Sequence, residues 1–166
     1  MNYLEQFKEV KTFIFDVDGV LTNSQVLVTE LGEQLRSMSI KDGFAIKKAV
    51  RAGYRVCIIT GGSSEGVVKR LEGLEVEDIF WGVSDKIEVF LSYVRSNQLD
   101  TSTILYMGDD LPDYQVMRLV GLPTCPADAA QEIIEVSQYI SPKNGGEGAV
   151  RDVIEKVLKL NNQWEY

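Results

Sequence analysis

The sequence predicts an α/β three-layer sandwich, a mainly parallel sheet with helices on both faces. Three observations predict it. Short apolar runs at residues 12–15, 54–60, 78–81 and 103–107 alternate with segments of helical spacing, the order expected of right-handed βαβ crossovers. The first run shows no polar alternation, as in a strand covered on both faces. Each run stops at, or just before, polar residues of particular kinds, at the strand ends where open α/β sheets hold their ligands.

The first core strand, Thr12-Phe13-Ile14-Phe15, runs into Asp16-Val17-Asp18-Gly19-Val20-Leu21-Thr22. Alone, an Asp-x-Asp is only an acidic turn, and Gly19 beside it can take backbone conformations closed to other residues. Residues 26–29 and 35–39 flank Glu30-Leu31-Gly32-Glu33 and read as a projecting β-hairpin with a four-residue loop. Leu27, Leu31 and Leu35 would lie exposed on it, so a second copy of the chain is expected to cover one face. Asp42 is expected to cap a helix running to about residue 52, with Phe44, Ala45, Ile46, Ala49 and Val50 on one side. Lys41 and Asp42 are read either as that cap or as substrate contacts, and Gly53 ends the helix.

The second core strand finishes in Thr60-Gly61-Gly62, where a glycine pair lets backbone N–H groups approach a ligand, just before a helix carrying Val67, Val68 and Leu71. The third leads to Lys86 and a helix with Ile87, Phe90, Leu91 and Val94. The fourth ends in Gly108-Asp109-Asp110-Leu111-Pro112-Asp113, where Pro112 suits a first helical turn, and a fifth strand is suggested at 121–124. Residues 141–148 are rich in Pro and Gly and read either as a flexible joint or as a lid over a neighbouring site. Helical spacing resumes over 149–160. No shift of composition marks a boundary, so residues 1–166 are read as one domain.

The chain contains no histidine. Ser-His-Asp and Cys-His catalysis therefore drop out unless a partner chain supplies the base, and general acid and base work falls to Asp, Glu, Lys, Tyr or Cys. Cys57 and Cys125 sit in apolar settings and read as buried reduced thiols. The net charge of −8 argues against a nucleic-acid partner, which needs clustered Lys and Arg, while a bound cation would still admit a small anionic substrate. No segment approaches the roughly 20 apolar residues that cross a bilayer, and the first residues lack the basic start and apolar run of a signal peptide. A cytoplasmic protein without a membrane partner is expected.

Parallel strands point their carboxyl ends one way, so Asp16, Asp18, Thr60, Lys86 and Asp109 are expected to meet in one crevice. Phosphoryl transfer fits such a set. A carboxylate can attack phosphorus and divide one hard displacement into two easier ones, with the transferred charge met by a cation and fixed donors. Asp16 and Asp109 are hard oxygen ligands suited to Mg²⁺. Thr60 offers a hydroxyl and Lys86 a point charge to phosphate oxygens, and Lys86 also offsets the crowded aspartates. Asp18 is placed to protonate a leaving alcohol and later to deprotonate water.

Asp16-Val17-Asp18-Gly19-Val20-Leu21-Thr22, Thr60-Gly61, Lys86 and Gly108-Asp109-Asp110 with Asp113 resemble the four motifs of the haloacid dehalogenase superfamily of phosphatases, across nearly the whole chain. The resemblance implies a Rossmann-like sheet, Asp16 as nucleophile, Asp18 as acid and base, and Thr60 and Lys86 as phosphate ligands. It implies Mg²⁺ held by Asp16, the backbone carbonyl of Asp18 and Asp109, with Asp110 or Asp113 supporting the site. The gaps between motifs hold no cap domain. The hairpin, Lys41-Asp42-Gly43 and the tail Gly145-Gly146-Glu147-Gly148-Ala149-Val150-Arg151 look like the capless branch of sugar-acid phosphatases, which implies a homotetramer whose hairpins and neighbouring tails close the active sites. Gly61 and Gly62 would lie beside the substrate. Relatives acting on nine-carbon sugar acids are similar but carry an acidic residue where this chain has Gly62, so glycine there implies space for an eight-carbon sugar-acid phosphate. Two readings of another class stand beside this one: a receiver domain that keeps its phosphoryl group, against which Asp18 argues, and an idle scaffold, against which the complete motif set argues.

Overall fold

The computed structural model describes residues 3–165. In chain order its strands are β1 (Thr12–Phe15), β2 (Leu27–Val28), β3 (Gln34–Leu35), β4 (Arg55–Ile59), β5 (Asp78–Phe80), β6 (Ile104–Met107), β7 (Leu122–Cys125) and β8 (Tyr139–Ile140). Its helices are α1 (Tyr3–Glu9), α2 (Ile40–Arg51), α3 (Glu65–Gly73), α4 (Lys86–Ser96), α5 (Tyr114–Met117), α6 (Gln131–Val136) and α7 (Ala149–Leu160). Six strands form one sheet in the order β5-β4-β1-β6-β7-β8, every neighbouring pair parallel.

Strand β1 is buried along its whole length and its side chains divide the core, since successive residues of a strand face opposite ways. Phe13 and Phe15 pack into the layer built by α1, α2, α3 and α7, whereas Ile14 packs into the layer of α4, α5 and α6. From β1 the chain winds outward through β4 and β5, then returns to β6 on the other side of β1. The connections leaving β1 and β6 therefore part in opposite directions and open a crevice at the carboxyl ends of those two strands.

The expected strands and the helix at 149–160 lie where the pattern puts them, and several local details differ. The hairpin is shorter than expected: β3 is two residues long, pairs only with β2, and leaves residues 36–39 outside any strand. A two-stranded ribbon without a third neighbour supports little more, and Leu31 at its tip is 89% exposed. Helix α2 is capped by Ser39, whose hydroxyl accepts the Asp42 N–H at 3.2 Å, and not by Asp42. Phe44 is 55% exposed on the outer side of α2 and meets Trp164 edge-on. Helices α1 and α6 and strand β8 carry no expectation from the sequence; each is too short to show a period.

Asp42 does cap a helix, but a different one. It is 1% exposed, and its Oδ1 accepts the backbone N–H of Arg151 at 2.8 Å in the first turn of α7. That helix starts at Gly148, at φ +108° and with no side chain to cap its own N–H groups, so α2 supplies the acceptor across the interface. Burial raises the Asp42 pKa, with the Arg151 N–H opposing. Asp42→Ala is expected to lower stability by about 1–2 kcal/mol. Asp42→Asn should cost less, because it keeps an acceptor and removes a buried charge; urea unfolding of both variants measures the difference.

Candidate active site

Strand pairing carries one residue past β1: the Asp16 N–H donates to the Met107 carbonyl at 3.1 Å. The chain then folds tightly, with the N–H groups of Val20, Leu21 and Thr22 all directed to the Val17 carbonyl and the Thr22 hydroxyl accepting the Gly19 N–H at 3.2 Å. Gly19 has φ +87°, and a Cβ there would lie 1.8 Å from Oδ2 of Asp109. Only glycine allows both the turn and the approach of the β6 carboxylate. The loop is also braced from behind. A Cβ on Gly145 would lie 1.9 Å from the Gly19 carbonyl oxygen, the Gly146 N–H donates to the Val20 carbonyl at 2.9 Å, and the Gly145 N–H donates to Asp128. The glycine-rich segment read as a joint or a lid is thus seated against the chain's own Asp16–Thr22 loop.

The polar strand ends do meet. Asp16, Asp18, Thr60, Gly61, Gly62, Lys86, Asp109 and Asp110 line one cleft of about 600 Å³. Lys86, the first residue of α4, is buried, with its Nζ 2.8 Å from Oδ2 of Asp16 and 2.7 Å from Oδ1 of Asp113. Asp16 Oδ1 accepts the Val17 N–H at 2.7 Å. Thr60 is anchored through its main chain to Phe80 and Val83, and its hydroxyl accepts the Gly62 N–H at 3.3 Å. Asp110 stands at the rim and caps the short turn over 111–113 through the Leu111 N–H, with Pro112 in that turn. Asp113 lies wholly buried beneath the cleft, where Oδ1 receives Lys86 and the Tyr106 hydroxyl (2.6 Å) and Oδ2 receives the Asp109 N–H (3.2 Å).

Burial, then the charge of Asp113, pushes the Asp16 pKa up to about 7. Burial, then Asp16 and Asp113, pushes Asp109 up to about 8. Burial opposes the charge on Lys86, but Asp16 and Asp113 outweigh it and raise its pKa. Carboxylate oxygens of Asp16, Asp109 and Asp113 lie within 4.8 Å of one another, and one ammonium does not balance three such groups. A small hard cation fits this donor set. Of these three, Asp113 is wholly buried and does not line the cleft, which leaves Asp16 and Asp109 as the carboxylates that face it.

Two site residues escape sequence reasoning. Tyr106 reads as one more apolar strand position. Arg36, just past β3, grips the Asp18 carboxylate with Nε on Oδ1 at 2.6 Å and Nη2 on Oδ2 at 3.1 Å. Its signal was available: it is the single Lys or Arg between positions 12 and 40. Gly62 lines the cleft, and a Cβ there would lie 3.2 Å from Asp18 Oδ2 and 3.4 Å from Arg36 Nη2, so the missing side chain also gives this ion pair its clearance.

No protein-family model matches the chain. The crystal structure of 3-deoxy-D-manno-octulosonate 8-phosphate phosphatase from Moraxella catarrhalis, in complex with magnesium ion, phosphate ion and KDO, superposes with a TM-score of 0.93 at 33% identity, covering 98% of this chain and 95% of that one. A Legionella pneumophila structure assigned to the HAD superfamily, subfamily III A, has a TM-score of 0.93 at 32% identity, covering 96% and 88%. Fold and site define the class, a capless phosphatase of the haloacid dehalogenase superfamily. Among curated relatives, 3-deoxy-D-manno-octulosonate 8-phosphate phosphatase KdsC of Yersinia pestis is 30% identical over 98% of this chain and 87% of its own, and that of Escherichia coli K12 is 33% identical over 91% and 80%. The chain belongs to the 3-deoxy-D-manno-octulosonate 8-phosphate phosphatase family.

The raised carboxyls give a signed expectation. Folded Asp16 and Asp109 hold protons more tightly than their ordinary value of 3.8. The stability they contribute is fully present below about pH 4 and is lost as pH rises through 7 to 8. Metal-free protein should therefore lose melting temperature between about pH 5 and 8.5, less steeply in Asp109→Asn, and millimolar Mg²⁺ should restore most at the alkaline end. Calorimetry with and without chelator measures both slopes.

Proposed function

We propose that the chain hydrolyses 3-deoxy-D-manno-octulosonate 8-phosphate (KDO 8-phosphate) to KDO and inorganic phosphate, as a single domain without a cap. One observation carries the reading: the Asp16 carboxylate stands at the exit of the central strand, held by buried Lys86 at 2.8 Å, with Asp18 two residues on and half open to the same cleft. The magnesium, phosphate and KDO held by the Moraxella relative support it.

An oxygen of Asp16 attacks phosphorus and forms an aspartyl phosphate while the bond from phosphorus to the C8 oxygen breaks. The departing alkoxide takes a proton from the protonated form of Asp18, which gains that proton from solvent at its open side before the first turnover. Asp18, now a carboxylate, removes a proton from water, whose oxygen attacks the phosphoryl group and returns Asp16 to its free state. Lys86 and the Thr60 hydroxyl bind phosphate oxygens, with Gly61 and Gly62 lining the same side. Asp16, the Asp18 backbone carbonyl and Asp109 would hold Mg²⁺, which supplies positive charge against the phosphoryl oxygens. Asp113 supports Lys86 and Asp109, and Asp110 fixes the following turn.

Exposed Leu27, Leu31 and Leu35 on the hairpin support a homotetramer in which copies of the chain cover one another. Among the described residues no helix is long and apolar enough to cross a membrane, which fits a cytoplasmic enzyme acting on a soluble sugar phosphate.

Asp16→Asn and Asp18→Asn should each lower phosphate release from KDO 8-phosphate by at least about 10³-fold, with sedimentation unchanged. Retention of more than a few per cent of the rate by Asp16→Asn defeats the mechanism. A single stoichiometric phosphorylation of the wild type without turnover would mark a receiver instead, and faster turnover of KDN 9-phosphate than of KDO 8-phosphate would move the substrate to nine carbons.

A further inference from the structure

Among the described residues, one hairpin side chain hydrogen-bonds to the Asp16–Thr22 loop. Arg36 leaves the end of β3, donates Nη1 to the Gln34 carbonyl at 3.3 Å, and closes its remaining fork on both oxygens of Asp18. Among the described residues, the hydrogen bonds onto that carboxylate come from Arg36 alone. The two ends of the pair differ in exposure: the Arg36 side chain is 8% exposed and that of Asp18 41%. The guanidinium therefore lies behind the carboxylate, seated with Val67, Leu71 and Trp81 around a space of about 10 Å³, and the carboxylate faces the cleft. A planar fork matched to two oxygens fixes both the place and the plane of a carboxylate, which a point charge cannot do. Gly62 supplies the clearance, since a Cβ there would crowd both partners.

We infer that Arg36 is a positioning residue for the Asp18 carboxylate, and that the hairpin acts on the reaction through it. This rests on the phosphatase reading above. The hairpin is a two-stranded sheet of its own, so its attitude is set by what it touches, and the fork passes that attitude to Asp18. A carboxylate displaced by about 1 Å from its proton-transfer partner can cost about 10²-fold in rate, with little change in substrate affinity.

Phosphate release from KDO 8-phosphate and from p-nitrophenyl phosphate tests the inference. Arg36→Ala should lower kcat on the sugar phosphate by about 10²-fold with KM within about threefold. It should lose less on p-nitrophenyl phosphate, whose leaving group needs no proton. Millimolar guanidinium should restore several-fold of the lost rate, and Arg36→Lys, which keeps the charge without the fork, should fall by about tenfold. Wild-type kcat in either variant, a loss confined to KM, or a loss that guanidinium does not relieve overturns it. If Arg36→Ala does not fold, the Arg36→Lys rate and its leaving-group dependence decide. An active wild type beside an unaffected variant sinks the inference alone, whereas a wild type without turnover sinks the phosphatase reading beneath it.

Discussion

Lys86 sets the terms for everything around it. Its ammonium lies between Asp16 and Asp113 in a buried pocket, at the first position of a helix, where the macrodipole disfavours a cation. Without it, the carboxylates from β1 and β6 would face one another across a few ångströms with no opposing charge. With it the pKa values of Asp16 and Asp109 still stay raised, through burial first and the neighbouring carboxylates second. An arrangement of this kind survives only where the backbone cannot relax away from it. The two central strands, paired through Phe15 and Met107 and buried on both faces, provide that rigidity.

The rest of the molecule divides into a rear braced by backbone contacts and a front held by few of them. Behind the catalytic loop, Gly145 and Gly146 lie against Gly19, Val20 and Thr22, and α7 beyond them is capped by Asp42 from α2. Each contact is backbone against backbone or a buried acceptor on an N–H, so little can shift. In front, the hairpin is a small ribbon with exposed leucines, joined to the chemistry by the fork from Arg36 to Asp18. Asp16, the proposed nucleophile, thus belongs to the braced part, and Asp18, the proposed acid-base group, to the boundary between the two. Such a division suits a reaction in which one carboxylate must stay still while the other exchanges protons with two different partners.

The strand ends, the chain order of Asp16, Asp18, Thr60, Lys86 and Asp109, and the last helix were legible because each is encoded locally. A buried parallel strand must be apolar throughout, and polar residues at its exit have nowhere to point but the crevice. Asp42 shows where this fails. Its residue type and its place near the start of α2 mark a cap, but which helix it serves depends on α7 arriving from more than a hundred residues away.

The sequence by itself determined the fold class, the convergence of the acidic, hydroxyl and amino groups, and the absence of any histidine that could share their work. Tertiary structure alone decided that Asp113 is the buried hub joining Lys86, Tyr106 and Asp109, that Gly62 makes room for Arg36, and that the glycine-rich tail leans on its own catalytic loop. The physical reason is common to all three. Periodicity and residue type report how a segment meets its surroundings, whereas hydrogen-bond partners and clearances of one or two ångströms are properties of pairs brought together only by folding.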